Sequence, residues 1–117
     1  MTAVLMLPWP PSVNSIIMCV RSRRIKSKTH KTYLDEARFQ LAQQEPLPHF
    51  DKPVNVELRL GPPDRRKRDI DNHGKAALDA LCDMNVLADD SLVHKLTLEW
   101  NPEVQGCMVL IQERQNG

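Results

Sequence analysis

Three cysteines are all that this 117-residue chain has, at positions 19, 82 and 107, and none lies near another. An odd count without a Cys-x-x-Cys pair argues against zinc ribbons and a disulfide framework and fits a reduced cytosolic protein. No apolar run approaches the ~20 residues that cross a bilayer. The first residues lack the charged region, apolar core and cleavage site of a signal peptide. The expected location is therefore cytoplasmic, with no membrane partner. His30, His49, His73 and His94 show no metal-binding spacing. Asp69-x-Asp71-x-His73-Gly74 imitates the start of a calcium loop, but Ala80 stands at the twelfth position, where calcium needs a bidentate glutamate. A Ser/His/Asp or Cys/His nucleophile cannot be assembled from these spacings either.

What is present is ordinary in amount and uneven in placement. A hydrophobic content of 41% and a charged content of 26% fit one soluble globular domain over residues 1–117. The net charge of +1 hides a strong clustering. Arg21, Arg23, Arg24, Lys26, Lys28 and Lys31 place six cations within eleven residues, and Arg65, Arg66, Lys67 and Arg68 follow as four in a row. Ten of the sixteen Lys and Arg thus fall in two short windows, which polarises the surface. Such clusters supply most nonspecific attraction to phosphates. Arg23, Arg24, Lys26 and Lys28 in the first window are candidate DNA contacts, as are Arg65, Arg66, Lys67, Arg68 and Asn72 in the second.

The chain reads as an alternation of strands and helices. Ala3 to Leu7 is a short apolar strand stopped by Pro8-Trp-Pro-Pro11. Cys19 to Lys31 has no periodicity and reads as a mobile loop or loose hairpin. Thr32-Tyr-Leu-Asp35 has the form of a helix N-terminus, with Leu34, Ala37, Leu41 and Ala42 on one face and Pro46 beyond the end. Val54, Val56, Leu58 and Leu60 alternate with polar residues as a half-buried strand. A second helix is expected from about Ile70 or Asp71 to about Met84, irregular in its first turn because of Gly74. Leu92, Leu96, Leu98 and Trp100 alternate in a third strand, which a turn joins to an apolar strand from Cys107 to Ile111 as a hairpin. The expected fold is an α+β two-layer sandwich with about four strands in a mixed sheet and two helices. The first and last strands are apolar on both faces, so the uncovered face calls for a homodimer.

The chemistry concentrates in Asp64-Arg-Arg-Lys-Arg-Asp-Ile-Asp-Asn-His-Gly-Lys75. Four cations able to hold a polyanion run into Asp69 and Asp71, two carboxylates placed to hold a hard metal ion. Two carboxylates make a poor site alone, and Asp89 or Asp90 in a later loop could supply the third, with water and phosphate oxygens completing the octahedron of Mg²⁺; Mn²⁺ accepts the same geometry. Lys75 is open to two readings. It either pairs with Asp71 or Asp79 in a helical ladder, or stands over the scissile phosphate and stabilises its developing charge. Asp79 is assigned to the ladder. Metal-dependent phosphodiester cleavage is the reaction these parts suit.

The same motif, with Lys75-Ala-Ala-Leu-Asp-Ala-Leu81, Asp89-Asp90 and the N-terminal Leu7-Pro-Trp-Pro-Pro-Ser-Val-Asn14, resembles the RusA family of Holliday junction resolvases along the whole chain. The resemblance implies Asp69, Asp71 and Asp90 as the Mg²⁺ site and Lys75 as an essential lysine. It further implies a homodimer that resolves four-way DNA junctions by paired symmetric nicks, commonly encoded by phages and prophages. The choice of Asp90 over Asp89 comes from this resemblance alone. His73-Gly74 departs from the longer side chains expected before the lysine. Two alternatives remain: from a different class, a junction- or DNA-binding protein without activity, and beside it a metal nuclease acting on flaps or single strands.

Overall fold

The alternating apolar residues of the sequence fold into one sheet whose inner face carries the core. The computed structural model describes residues 1–20 and 23–114, with 15–20 and 23–26 described as backbone alone. Strand β1 (Thr2–Leu7) is followed by a one-turn helix α1 (Val13–Ile16) and a hairpin of β2 (Ile17–Val20) and β3 (Arg23–Lys26). Helix α2 (Lys28–Ala42) leads to β4 (Val54–Gly61). A 3-10 turn, Ile70–His73, runs directly into α3 (Gly74–Asp83), and a second, Asp90–Leu92, into β5 (Val93–Trp100). Strand β6 (Gly106–Glu113) closes the fold. The main sheet has the order β1-β6-β4-β5, mixed as expected, with two long helices.

Buried Leu5 and Leu7 of β1, the even-numbered residues Val54 to Leu60 of β4, and Cys107, Val109 and Ile111 of β6 all point to the helices. Tyr33, Leu34, Ala37 and Leu41 of α2 and Ala76, Ala77, Ala80 and Leu81 of α3 meet them there. The small alanines let α3 lie close against its neighbours. Arg38 of α2 grips Asp83 of α3 with two nitrogens, at 2.6 and 2.9 Å. The edge strand β1 is finished by Gln44, whose amide accepts from Met6 N–H and donates to Met6 C=O, both at 2.8 Å.

Two details differ from the sequence expectations, the start of α2 and the pairing of β5. Helix α2 starts at Lys28 rather than Thr32, because Ser27 Oγ caps it by accepting from the His30 N–H at 3.2 Å. The extra turn extends the apolar face with buried His30. Of the two readings of Cys19 to Lys31, a hairpin is the one present, as the paired β2 and β3, while its last residues join the first turn of α2. Strands β5 and β6 are not a hairpin: β4 lies between them, parallel to β5 and antiparallel to β6. A helical connection returns the chain in the direction it left, so β5 reaches the sheet through α3 parallel to β4. The irregular start of the second helix is present, as the 3-10 turn ahead of Gly74.

Candidate active site

Strand β4 ends at Gly61, where an added Cβ would lie 1.6 Å from the Val104 carbonyl oxygen, so only glycine lets the chain leave the sheet here. The charged motif begins three residues later. Asp64 organises the strap that follows: its carboxylate accepts from the Arg66 N–H at 2.9 Å and pairs with Arg68 at 2.8 Å. The Arg66 backbone hydrogen bond, then the Arg66 and Arg68 side chains, draw the Asp64 carboxyl down to about 2. Arg68 is turned inward, 12% exposed, with its guanidinium 5.3 Å from the Trp9 ring centre. Arg65 and Lys67 are exposed, and Arg66 stays exposed beside Asp64.

Pro8-Trp-Pro-Pro11 is anchored to the motif by His73. That imidazole is 4% exposed and donates from Nδ1 to the Pro10 carbonyl at 3.0 Å, since a carbonyl can only accept. Trp9, His73 and Trp100 cluster together, with ring centres 4.8 Å apart for Trp9 and His73, 6.2 Å for Trp9 and Trp100, and 6.1 Å for His73 and Trp100. His73 is therefore a structural clasp. Beside it lies an open cleft of about 330 Å³ lined by Ser12, Arg66, Lys67, Arg68, Asp69, Asn72 and His73. A cleft with three cations and an amide on its walls suits a phosphate. Lys28 borders a second concavity of about 400 Å³ between Trp9 and α2. Arg23, Arg24 and Lys26 stand on β3, but their side chains lie outside the described residues, and so does Arg21 entirely.

Asp69 and Asp71 flank the start of the 3-10 turn, both exposed, and neither carboxylate makes a hydrogen bond or ion pair among the described residues. Lys75, in the first turn of α3, pairs with Asp79 at 2.9 Å and with Asp90 at 3.6 Å. The hydrogen bond from Lys75 to Asp79, helped by the charges of Asp79 and Asp90, raises the Lys75 pKa and keeps the ammonium charged. Asp89 does something else: it caps the turn Asp90–Leu92, its Oδ2 accepting from the Ser91 N–H at 3.0 Å. The Ser91 hydroxyl and N–H hold the Asp89 carboxyl below its ordinary range. Of the two adjacent aspartates, Asp90 is the one that faces Lys75.

The geometry thus joins Lys75 to Asp79 and Asp90 and leaves Asp69 and Asp71 open at the adjoining turn. Among the described residues, no three His, Cys, Asp or Glu side chains stand close enough to hold a metal ion together. The donor chemistry nonetheless fits a hard cation, because Asp69 and Asp71 offer carboxylate oxygens that no other described residue uses. What sequence reasoning missed is His30, whose Nε2 lies 3.7 Å from Asp79. No spacing could pair residues on separate helices.

A basic strap and an open cleft beside two carboxylates and a charged lysine suit a protein that handles phosphodiesters. The endodeoxyribonuclease RusA family matches residues 8–112, and the chain belongs to that family. It is 36% identical over 87 residues to the crossover junction endodeoxyribonuclease RusA of Escherichia coli strain K12, covering 74% of this chain and 72% of that one. The same protein of Shigella sonnei strain Ss046 matches at the same identity and coverage. A crossover junction endodeoxyribonuclease of Enterobacteria phage 82 is 34% identical over 87 residues, again 74% of this chain and 72% of the relative.

Proposed function

We propose that this protein is a Mg²⁺-dependent endodeoxyribonuclease that resolves four-way DNA junctions by paired symmetric nicks, working as a cytoplasmic homodimer. The observation that carries the reading is Lys75, held charged between Asp79 and Asp90 in a chain of the RusA family. The cleft beside Asn72 takes a backbone phosphate, with Arg66 and Lys67 opposing its charge. Asp69 and Asp71, with Asp90 as the third ligand that the family resemblance implies, would hold Mg²⁺, which when bound neutralises phosphate charge and lowers the pKa of a bound water. Lys75, paired with Asp79 at 2.9 Å and facing Asp90 at 3.6 Å, suits a fixed positive charge better than a general base. Its role is to place a fixed positive charge where negative charge grows on the phosphate. His73 and Trp9 keep the strap and the 3-10 turn in register while DNA is bound.

Incubation with a synthetic four-way junction, with and without Mg²⁺, tests the reading. Symmetric nicks that need the metal are expected. Binding without cutting would make this a junction-binding protein, and preferred cutting of flaps or single strands would make it a different nuclease.

A further inference from the structure

Asp79 stands where two helices meet beside the acidic site. Its two oxygens are divided between them: Oδ1 meets Lys75 Nζ at 2.9 Å along α3, and Oδ2 faces His30 Nε2 of α2 at 3.7 Å. His30 is 1% exposed, packed in the core one turn into a helix that Ser27 caps. Lys75 reaches onward to Asp90 at 3.6 Å. The ammonium therefore hangs between one carboxylate packed against a second helix, 3.7 Å from His30 Nε2 and so beyond hydrogen-bond length, and another on the turn entering β5. A lysine side chain is long and freely rotating, and nothing in its own covalent structure would hold its tip at one point. A helical i,i+4 partner restrains it only as well as that partner is itself restrained.

We infer that Asp79 is a positioning residue: braced by His30 across the helix interface, it fixes the Lys75 ammonium at the acidic site without touching DNA. The inference rests on the proposed nuclease reading. It also changes the meaning of the Lys75–Asp79 pair, which sequence spacing assigns to surface decoration.

The test uses the full chain and a synthetic four-way junction under single-turnover conditions. Asp79→Asn should slow cleavage about 10- to 10²-fold, the scale of a misplaced catalytic group, with junction affinity and melting temperature unchanged. Asp79→Glu, which keeps a carboxylate, should recover part of the rate. On a Lys75→Ala background, Asp79→Asn should cost nothing further, because its effect runs through the lysine. Without DNA, Lys75 should be acetylated several-fold faster by an N-hydroxysuccinimide ester in Asp79→Asn and in His30→Gln. Wild-type cleavage by Asp79→Asn, a loss that persists in full without Lys75, or unchanged Lys75 acetylation would each overturn the inference. A wild-type protein that cuts no junction would instead overturn the nuclease reading, while the acetylation result still decides the positioning. Should Asp79→Asn fail to fold, His30→Gln carries the same comparisons with the same outcomes.

Discussion

Asp89 and Asp90 are neighbours with different jobs, and the difference lies in which one the 3-10 turn uses as its cap. Asp89 accepts from the Ser91 N–H, so Asp90 is left to face Lys75. Asp69→Asn, Asp71→Asn or Asp90→Asn should each abolish junction cutting while binding stays intact or tightens, since losing a negative charge cannot weaken attraction to phosphate. Asp89→Asn should still cut, because asparagine also caps well; a dead Asp89→Asn beside an active Asp90→Asn would exchange their roles. Lys75→Ala should lose about 10²-fold or more in cleavage rate, as when a single group stabilising transition-state charge is removed. Asp64 gives a pH signature. Its carboxyl is drawn from 3.8 down to about 2, so the ionised form is favoured in the fold. The hold on Arg66 and Arg68 is fully present above the unfolded value and lost as pH falls through the folded one. An NMR titration of Asp64 should therefore have its midpoint near 2, and a midpoint back at the ordinary 3.8 would show the strap to be loose. At this scale the sequence exposes the residues that carry the chemistry, because charge clusters are visible in one dimension. It hides His73 as a clasp on Pro10, since that hydrogen bond spans 63 positions.

Gly74 marks where the 3-10 turn becomes α3, and its cost is visible in both sequence and structure. A Cβ there would meet Leu96 and Leu98 side chains at 3.6 Å, an ordinary contact. Gly74→Ala should therefore stabilise the protein by up to about 1 kcal/mol, read as a higher denaturation midpoint. Gly61→Ala should do the opposite, destabilising by about 1–3 kcal/mol or more, because the Val104 carbonyl is backbone and cannot step aside. If both changes proved neutral, the end of β4 would be looser than its packing indicates. Strand β4 and helix α3 are legible from apolar periodicity because each buries one face. The start of α2 is not, because Ser27 and Thr32 both suit a cap and only the burial of His30 selects the first. Nor could the sequence place β4 between β5 and β6. Alternation marks a strand's faces and says nothing of its neighbours.

At the scale of the whole molecule, a basic strap and an apolar patch on β1 and β6 each make a claim. Replacing exposed Arg65 and Arg66 with alanine should flatten the salt dependence of junction binding, by about 0.9 in the log–log slope for each phosphate no longer neutralised. An unchanged slope would mean that these arginines face solvent in the complex. The apolar side concerns assembly. In β1 and β6 the buried residues point to the helices, so Val4, Met6, Met108 and Leu110 point to the other face. The register sets Val4 beside Leu110 and Met6 beside Met108, making one continuous patch in which Val4 is 57% exposed. Two helices on one layer cannot reach it, and a second copy of the chain offers a patch of the same kind across a twofold axis. A four-way junction has its own approximate twofold, so one site per subunit would meet one of two opposed strands. Sedimentation at micromolar concentration should give twice the 13.4 kDa chain mass, and Leu110→Glu should give a folded monomer that no longer makes paired nicks. Mixed dimers of wild type and Asp71→Asn should nick one strand without completing resolution. A monomer that makes both nicks at full rate would sink the dimer, because one site would then serve both strands.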